Sequence, residues 1–167
     1  MQCPSSYPAP ISELDARSLR DAFGMFPTGV VAVAAQINGA LVGLAASSFT
    51  SVSLDPPLIS FSVARTSKTW PSLRRSPHLG VTILAEDHGE LSRQLAGSAE
   101  KRFAGVSVQV SENGAVTLEE GIAQFDCSIY EELEAGDHHI VLLQLHAVAL
   151  GAGAPLVFHR SSFGRLA

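Results

Sequence analysis

The last third of the chain constrains its fold most. Residues 124–151, QFDCSIYEELEAGDHHIVLLQLHAVALG, carry two long β-patterned runs on either side of Glu134-Ala135-Gly136-Asp137. Successive strand side chains alternate, so His139, Val141, Leu143, Leu145, Ala147 and Ala149 share one face of the second run. Ile140, Leu142, Gln144, His146, Val148 and Leu150 share the other. Both faces are largely apolar. Such a strand lines a barrel with one face and is covered by a helix or a second subunit on the other. Residues 30–37, VVAVAAQI, pose the same demand. Both runs are too long for the few helices this chain offers, so a homodimer with an extensive interface is expected.

The rest of the chain agrees with a mainly β architecture. GVVAVAAQI (29–37), Asn38-Gly39 and ALVGLAASSF (40–49) read as two strands joined by a type I′ hairpin. LISFSVA (58–64) and LGVTILA (79–85) are further short apolar strands bounded by Pro and Ser. Helical pieces are expected at 14–23, 87–95 and 99–103. The first has a partial apolar stripe of Leu14, Leu19, Ala22, Phe23 and Phe26, a capping pair in Ser12 and Asp15, and a stop at Gly24 and Pro27; it reads as a lid or a brace. Evenly spaced strands linked by hairpins favour a closed or nearly closed barrel, which also removes exposed edges. With 167 residues there is room for one domain, taken as 13–167 behind a flexible N-terminal arm at 1–12.

Charge and termini exclude several partners. Lys and Arg number 11 against 16 Asp and Glu, a net charge of −5 without a basic run, which argues against nucleic acid or an anionic membrane. MQCPSSYPAP has neither a basic n-region nor a long apolar stretch, so a cytoplasmic location is expected. Cys3 and Cys127 lack metal-ligand spacing and are expected as free thiols. Of the six histidines, only His138 and His139 are close in sequence. As strand neighbours they point to opposite faces, which is poor geometry for one metal.

Two segments carry candidate chemistry. ASSFTSVSLDPPL (46–58) places five hydroxyl side chains in an apolar region, and ARTSKTWP (64–71) adds Arg65, Thr66, Ser67, Lys68 and Thr69 directly after a strand. Hydroxyls, free backbone N–H groups and a cation suit a flat, phosphorylated, largely apolar ligand. Ser and Thr also fit a pleated surface for purely structural reasons. No Gly-x-Gly-x-x-Gly turn, ATPase phosphate loop or Gly-x-Ser-x-Gly elbow is present.

With FPTGV (26–30), the 46–58 block, the Ser-x-Thr-Trp of SKTWP, KRFAGV (101–106), GDHHI (136–140) and PLVFHRSSFGRL (155–166) in this order, the chain resembles the flavin reductase-like, FMN-binding split-barrel family. The likeness is greatest to the short reductases of two-component flavin-dependent monooxygenases. It runs from about residue 19 to 166 and implies a Greek-key split β-barrel with a few short flanking helices. It also implies FMN or FAD as cofactor, NADH or NADPH as electron donor, and a separate oxygenase as partner. By the same resemblance Ala46, Ser47 and Ser48 approach the ribityl chain or pyrimidine edge of the flavin. Ser62, Arg65, Ser67, Lys68 and Thr69 cradle its phosphate side, and Phe103 closes over the cofactor or its adenylate. His138, with His159 and Arg160 nearby, meets the nicotinamide; its competing role is that of a hairpin residue with one backbone hydrogen bond. Ala45 and Thr82 depart from the family's usual Thr and Asn. The resemblance implies no catalytic acid or base, because hydride transfer needs stacked rings and the flavin carries the chemistry. The alternative is a non-catalytic flavin- or haem-binding module acting as carrier or sensor on the same barrel.

Overall fold

The computed structural model describes residues 14–166. The expected N-terminal arm, Cys3 and the Ser12 half of the expected cap lie outside them. Helix α1 (Ala16–Phe23) starts where the Asp15 carboxylate accepts the amides of Arg17 and Ser18 at 2.8 Å. It buries none of its residues. Leu14, Phe23 and Phe26 of its expected inward stripe are exposed.

Short strand β1 (Thr28–Gly29) leads into β2 (Val31–Ile37) and β3 (Ala40–Ala46), paired antiparallel across Asn38-Gly39. Both turn residues have positive φ, 50° and 82°, as a type I′ hairpin requires. The strand expected over 40–49 stops at Ala46, and a separate strand β4 (Thr50–Leu54) pairs with β5 (Pro57–Ala64). Next come α2 (Trp70–Leu73), β6 (Leu79–Ile83) and α3 (Gly89–Ala96). The expected 99–103 helix is one 3-10 turn at Ala99–Lys101. A hairpin of β7 (Val108–Val110) and β8 (Val116–Leu118) precedes the long hairpin of β9 (Ala123–Ala135) and β10 (His138–Leu150). Strand β11 (Val157–His159) pairs with β1, and β12 (Ser162–Gly164) pairs with β11.

The main sheet has seven antiparallel strands in the order β3-β2-β6-β9-β10-β5-β4. No backbone ladder closes it into a barrel: β3 comes near β5 without pairing to it. Past the end of β3, the Ser48 hydroxyl accepts the Ser62 amide at 2.8 Å and donates to the Ser62 carbonyl at 3.1 Å. This side-chain seam is where the barrel is split. Val31, Val33, Phe61, Val63, Leu79, Val81, Cys127, Val141 and Leu143 fill the interior.

Strand β2 needs no second subunit, contrary to expectation. Its outer face is covered within the chain by a second core of Val30, Ala32, Leu84, Leu95, Leu118 and Leu156. The β7–β8 hairpin approaches so closely that a Cβ on Gly80 would lie 2.0 Å from the Val116 carbonyl oxygen. Thr82 belongs to this packing: it is fully buried and its hydroxyl accepts the Leu118 amide at 3.0 Å. Strand β10 departs from its expected alternation at His146, an extra residue between the Leu145–Cys127 and Ala147–Asp126 pairs that re-aims the side chains beyond it; the shift at Leu142/Leu143 instead places the extra residue, Tyr130, in β9. From His146 to Leu150 it is exposed on both faces in the single chain.

Candidate functional site

A cavity of about 670 Å³ opens beside the seam, within the roughly 300–1,000 Å³ typical of small-molecule sites. Strand β3 and its extension give one wall (Leu44, Ala45, Ala46, Ser47, Ser48). The end of β5 and the loop after it give another (Ser62, Val63, Ala64, Thr66, Ser67, Lys68, Thr69), with Leu95 and Ala96 of α3, Arg102 and His138 completing the lining.

The loop is the candidate anion site. The Ser67 amide donates to the Ala64 carbonyl at 2.9 Å and the Ser67 hydroxyl accepts the Trp70 amide at 3.2 Å, which curls residues 64–70 into a tight turn. Among the described residues, the amides of Thr66, Lys68 and Thr69 find no protein acceptor. With the Lys68 ammonium they form a nest for a phosphate or carboxylate. Arg102 adds a second cation. Its guanidinium donates to the Gly43 carbonyl at 2.8 Å and to the Thr69 hydroxyl at 2.6 Å, so it is fixed against both walls.

Ala46, Ser47, Ser48, Ser62, Ser67, Lys68, Thr69 and His138, all named from sequence, thus meet around one cavity. The Ser48 hydroxyl is taken up by the Ser62 backbone in the seam, whereas the Ser47 and Ser62 hydroxyls take no part in it. Two expected residues are elsewhere. Arg65 does not line the cavity: its guanidinium reaches back to the Gly136 carbonyl at 3.5 Å and its amide donates to Asp137 at 2.9 Å. Phe103 lies under β3 as part of the second core, where a Cβ on Gly43 would come within 2.6 Å of its ring, so it cannot lie over the cavity. Its neighbour Arg102 takes the place at the wall. Sequence reading passed over Arg102, although Lys101-Arg102-Phe103 is the one local cluster of cations beside an aromatic in that part of the chain.

His138 begins β10 directly after the turn Gly136-Asp137, with Gly136 at φ 64°. Its Nδ1 lies 2.7 Å from the Asp137 carboxylate. That hydrogen bond and the His138 charge hold the Asp137 carboxyl below the usual carboxylate range, and the Arg20 guanidinium adds to the effect. His139 faces the other way, 3.4 Å from Glu132, as strand alternation demands.

His159 and Arg160 do not line the cavity that His138 lines. His159 is exposed on the β11–β12 hairpin and lines neither of these cavities. Arg160 sits at the tip of that hairpin at φ 49°, followed by Ser161 at φ 61°, and its amide donates to the Gly24 carbonyl at 2.9 Å. Left-handed backbone at two non-glycine residues costs roughly 1–3 kcal/mol each, a strain that concentrates at functional sites. It holds Arg160 over a second cavity of about 310 Å³, lined also by Arg20, Phe23, Phe26, Thr28 and Phe158. The Thr28 hydroxyl oxygen is buried without a hydrogen-bond partner among the described residues. Ser47 lines both cavities and so joins them.

Among the described residues no group of three or more His, Cys, Asp or Glu side chains is placed to hold a metal ion. Cys127 is a free thiol inside the barrel, and burial, with Asp126 beside it, pushes its pKa up to about 12.

A split antiparallel barrel with a phosphate-type nest and a histidine-bearing hairpin at its seam defines a nucleotide-cofactor-binding class. Residues 23–167 match the flavin reductase like domain, and the chain belongs to that family. It is 35% identical over 158 residues to a flavin reductase of Pseudomonas putida, covering 93% of each protein. It is 32% identical over 151 residues to FMN reductase (NADH) SmoA of Agrobacterium fabrum, covering 90% of this chain and 86% of that one. Among solved structures it resembles the Streptomyces globisporus NADH:FAD oxidoreductase SgcE6, in complex with NAD and FAD fragments. That likeness has a TM-score of 0.88 at 31% identity and covers 95% of this chain and 98% of the other.

Proposed function

We propose that the chain is an NAD(P)H:flavin oxidoreductase that takes FMN or FAD in the seam cavity and supplies reduced flavin to a separate flavin-dependent oxygenase. The observation that carries this reading is the meeting of the 66–69 nest, Lys68, Arg102, Ser47 and His138 around one 670 Å³ cavity. A bound flavin supplies the hydride acceptor, and the protein needs only to position it against the donor. Lys68 and the Thr66, Lys68 and Thr69 amides hold the flavin phosphate, with Arg102 keeping Thr69 and β3 in place. Ser47 hydrogen-bonds the ribityl side. Ala45 and Ala46 give a smooth apolar wall. His138, carried on a hairpin turn at the rim, orients the nicotinamide, while Arg20 and Arg160 neutralise the phosphates of the same donor in the adjoining cavity.

The enzyme acts in the cytoplasm, where NAD(P)H is available, and among the described residues no helix is long and apolar enough to cross a membrane. A homodimer is supported by the uncovered apolar side chains of β10: Val148 is 61% and Leu150 84% exposed in the single chain. Sedimentation velocity at micromolar concentration is expected to give a dimer; a monomer would refute it. The functional test is anaerobic addition of NADH to protein with excess FMN, repeated with NADPH and FAD. Rapid bleaching of the flavin absorbance is expected, and an unchanged spectrum with every pair would leave a carrier or sensor module.

A further inference from the structure

Glu132 of β9 stands apart from the cavity lining yet touches Trp70 and His139, the residues that follow the 66–69 loop and His138. Its side chain is only 12% exposed. One oxygen accepts the Trp70 indole N–H at 3.1 Å and lies 3.4 Å from His139 Nδ1; the other pairs with Arg74 at 3.2 Å. Trp70 directly follows the anion nest, and its own amide closes that turn onto Ser67. Its ring packs edge-on against Phe61 at 5.5 Å, inside the barrel. His139 directly follows His138.

A half-closed barrel mouth is an expensive place for a carboxylate, and an apolar side chain of similar volume would serve packing as well or better. The Trp70 indole from α2 and the Arg74 guanidinium from its C-terminal flank compensate the burial, with the His139 ring of β10 alongside; with the β5–β10 ladder that pairs Ala64 with His138, these contacts tie the α2 end of the nest to the His138 hairpin. We propose that Glu132 is a positioning residue that sets the spacing between the anion nest and His138, and thereby couples phosphate recognition to donor orientation. This rests on the flavin reductase reading above.

The test uses the full chain with FMN and riboflavin, which differ only in the phosphate. In Glu132→Gln and Glu132→Leu, riboflavin affinity is expected to stay within about twofold of wild type, while the preference for FMN over riboflavin drops by about fivefold. KM for NADH is expected to rise by a similar factor. Trp70 is the only tryptophan, so its emission reports directly on this node. It is expected to be quenched by FMN in wild type and to shift to the red in Glu132→Leu. As controls, Arg74→Ala is expected to lower only the FMN preference, and His139→Phe to raise only KM for NADH. Variants that keep the wild-type FMN preference and KM overturn the role of Glu132 alone. Wild-type protein that binds neither flavin overturns the functional reading beneath it. Glu132→Gln keeps an acceptor for Trp70 at nearly unchanged volume, so it decides the matter if the leucine variant does not fold.

Discussion

The two walls of the seam cavity are built differently. The nest wall at residues 62–69 is tied down from within: Ser62 by Ser48, Ser67 by Ala64 and Trp70, Thr69 by Arg102. The second is carried on turns: His138 behind Gly136-Asp137, set beside the first by the pairing of His138 with Ala64, and Arg160 on the left-handed tip of the β11–β12 hairpin over the adjoining cavity. The first has fixed donors suited to the phosphorylated end of a flavin. The second presents its side chains from hairpin ends, where a donor that arrives and leaves in each turnover meets them without disturbing a packed strand. On the proposed function, flavin affinity is expected to depend on the first wall and donor kinetics on the second.

The largest expected effect is on the nest. Replacing Ser67, Lys68 and Thr69 together by Ala removes hydroxyl and charge-assisted contacts worth roughly 1–3 kcal/mol each. Flavin titration by fluorescence quenching is expected to show affinity about a hundredfold weaker or more. Unchanged affinity in the folded triple variant would move the phosphate elsewhere. His138→Ala should leave flavin affinity intact and lower kcat/KM for NAD(P)H by about tenfold or more. His139→Ala, on the barrel side beside Glu132, should instead lower Tm with a smaller kinetic effect per folded molecule. Arg160→Ala follows with a rise in KM for the donor of about threefold to tenfold and no change in flavin affinity. An Arg160 variant that releases flavin would break the division between the walls.

The smallest effect concerns the barrel interior that both walls share. Burial raises the Cys127 thiol from an ordinary 9.0 to about 12, so the folded chain keeps it protonated where the unfolded chain ionises. Its contribution to stability is complete below about pH 9 and is lost as pH climbs from there toward 12. In a Cys3→Ser background, a thiol reagent at pH 8 should label Cys127 only after unfolding. Rapid labelling of the native protein would mean that the interior opens beneath the site.

The strongly patterned parts of the molecule were legible in the sequence for identifiable reasons. Asn38-Gly39 fixed one hairpin by its need for positive φ, and the 138–150 run announced a barrel strand by apolar residues on both faces. The hydroxyl- and cation-rich 64–71 segment pointed to Ser67, Lys68 and Thr69, which line the seam cavity, because they belong to one local turn. What escaped depends on distant packing. Arg102 reaches the cavity only because the turn after α3 folds beneath β3, and Phe103 is consumed by the same packing. The bulges of β9 and β10 leave no compositional trace. Nothing in the sequence indicated that residues 84–118 cover the outer face of β2, which removed one of the two reasons for expecting a partner subunit. That Arg160 of the 155–166 segment lines a second cavity, which shares Ser47 with the first, is a tertiary fact.

Anaerobic stopped-flow reduction of flavin by NADH tests the division between the two walls most directly, with flavin and NADH varied independently in wild type, the Ser67/Lys68/Thr69→Ala variant and His138→Ala. The account predicts rapid reduction in wild type, with the triple variant raising the flavin requirement alone and His138→Ala raising the NADH requirement or slowing hydride transfer at saturating flavin. Flavin that stays oxidised in wild type, or two variants that shift the same parameter, would contradict it.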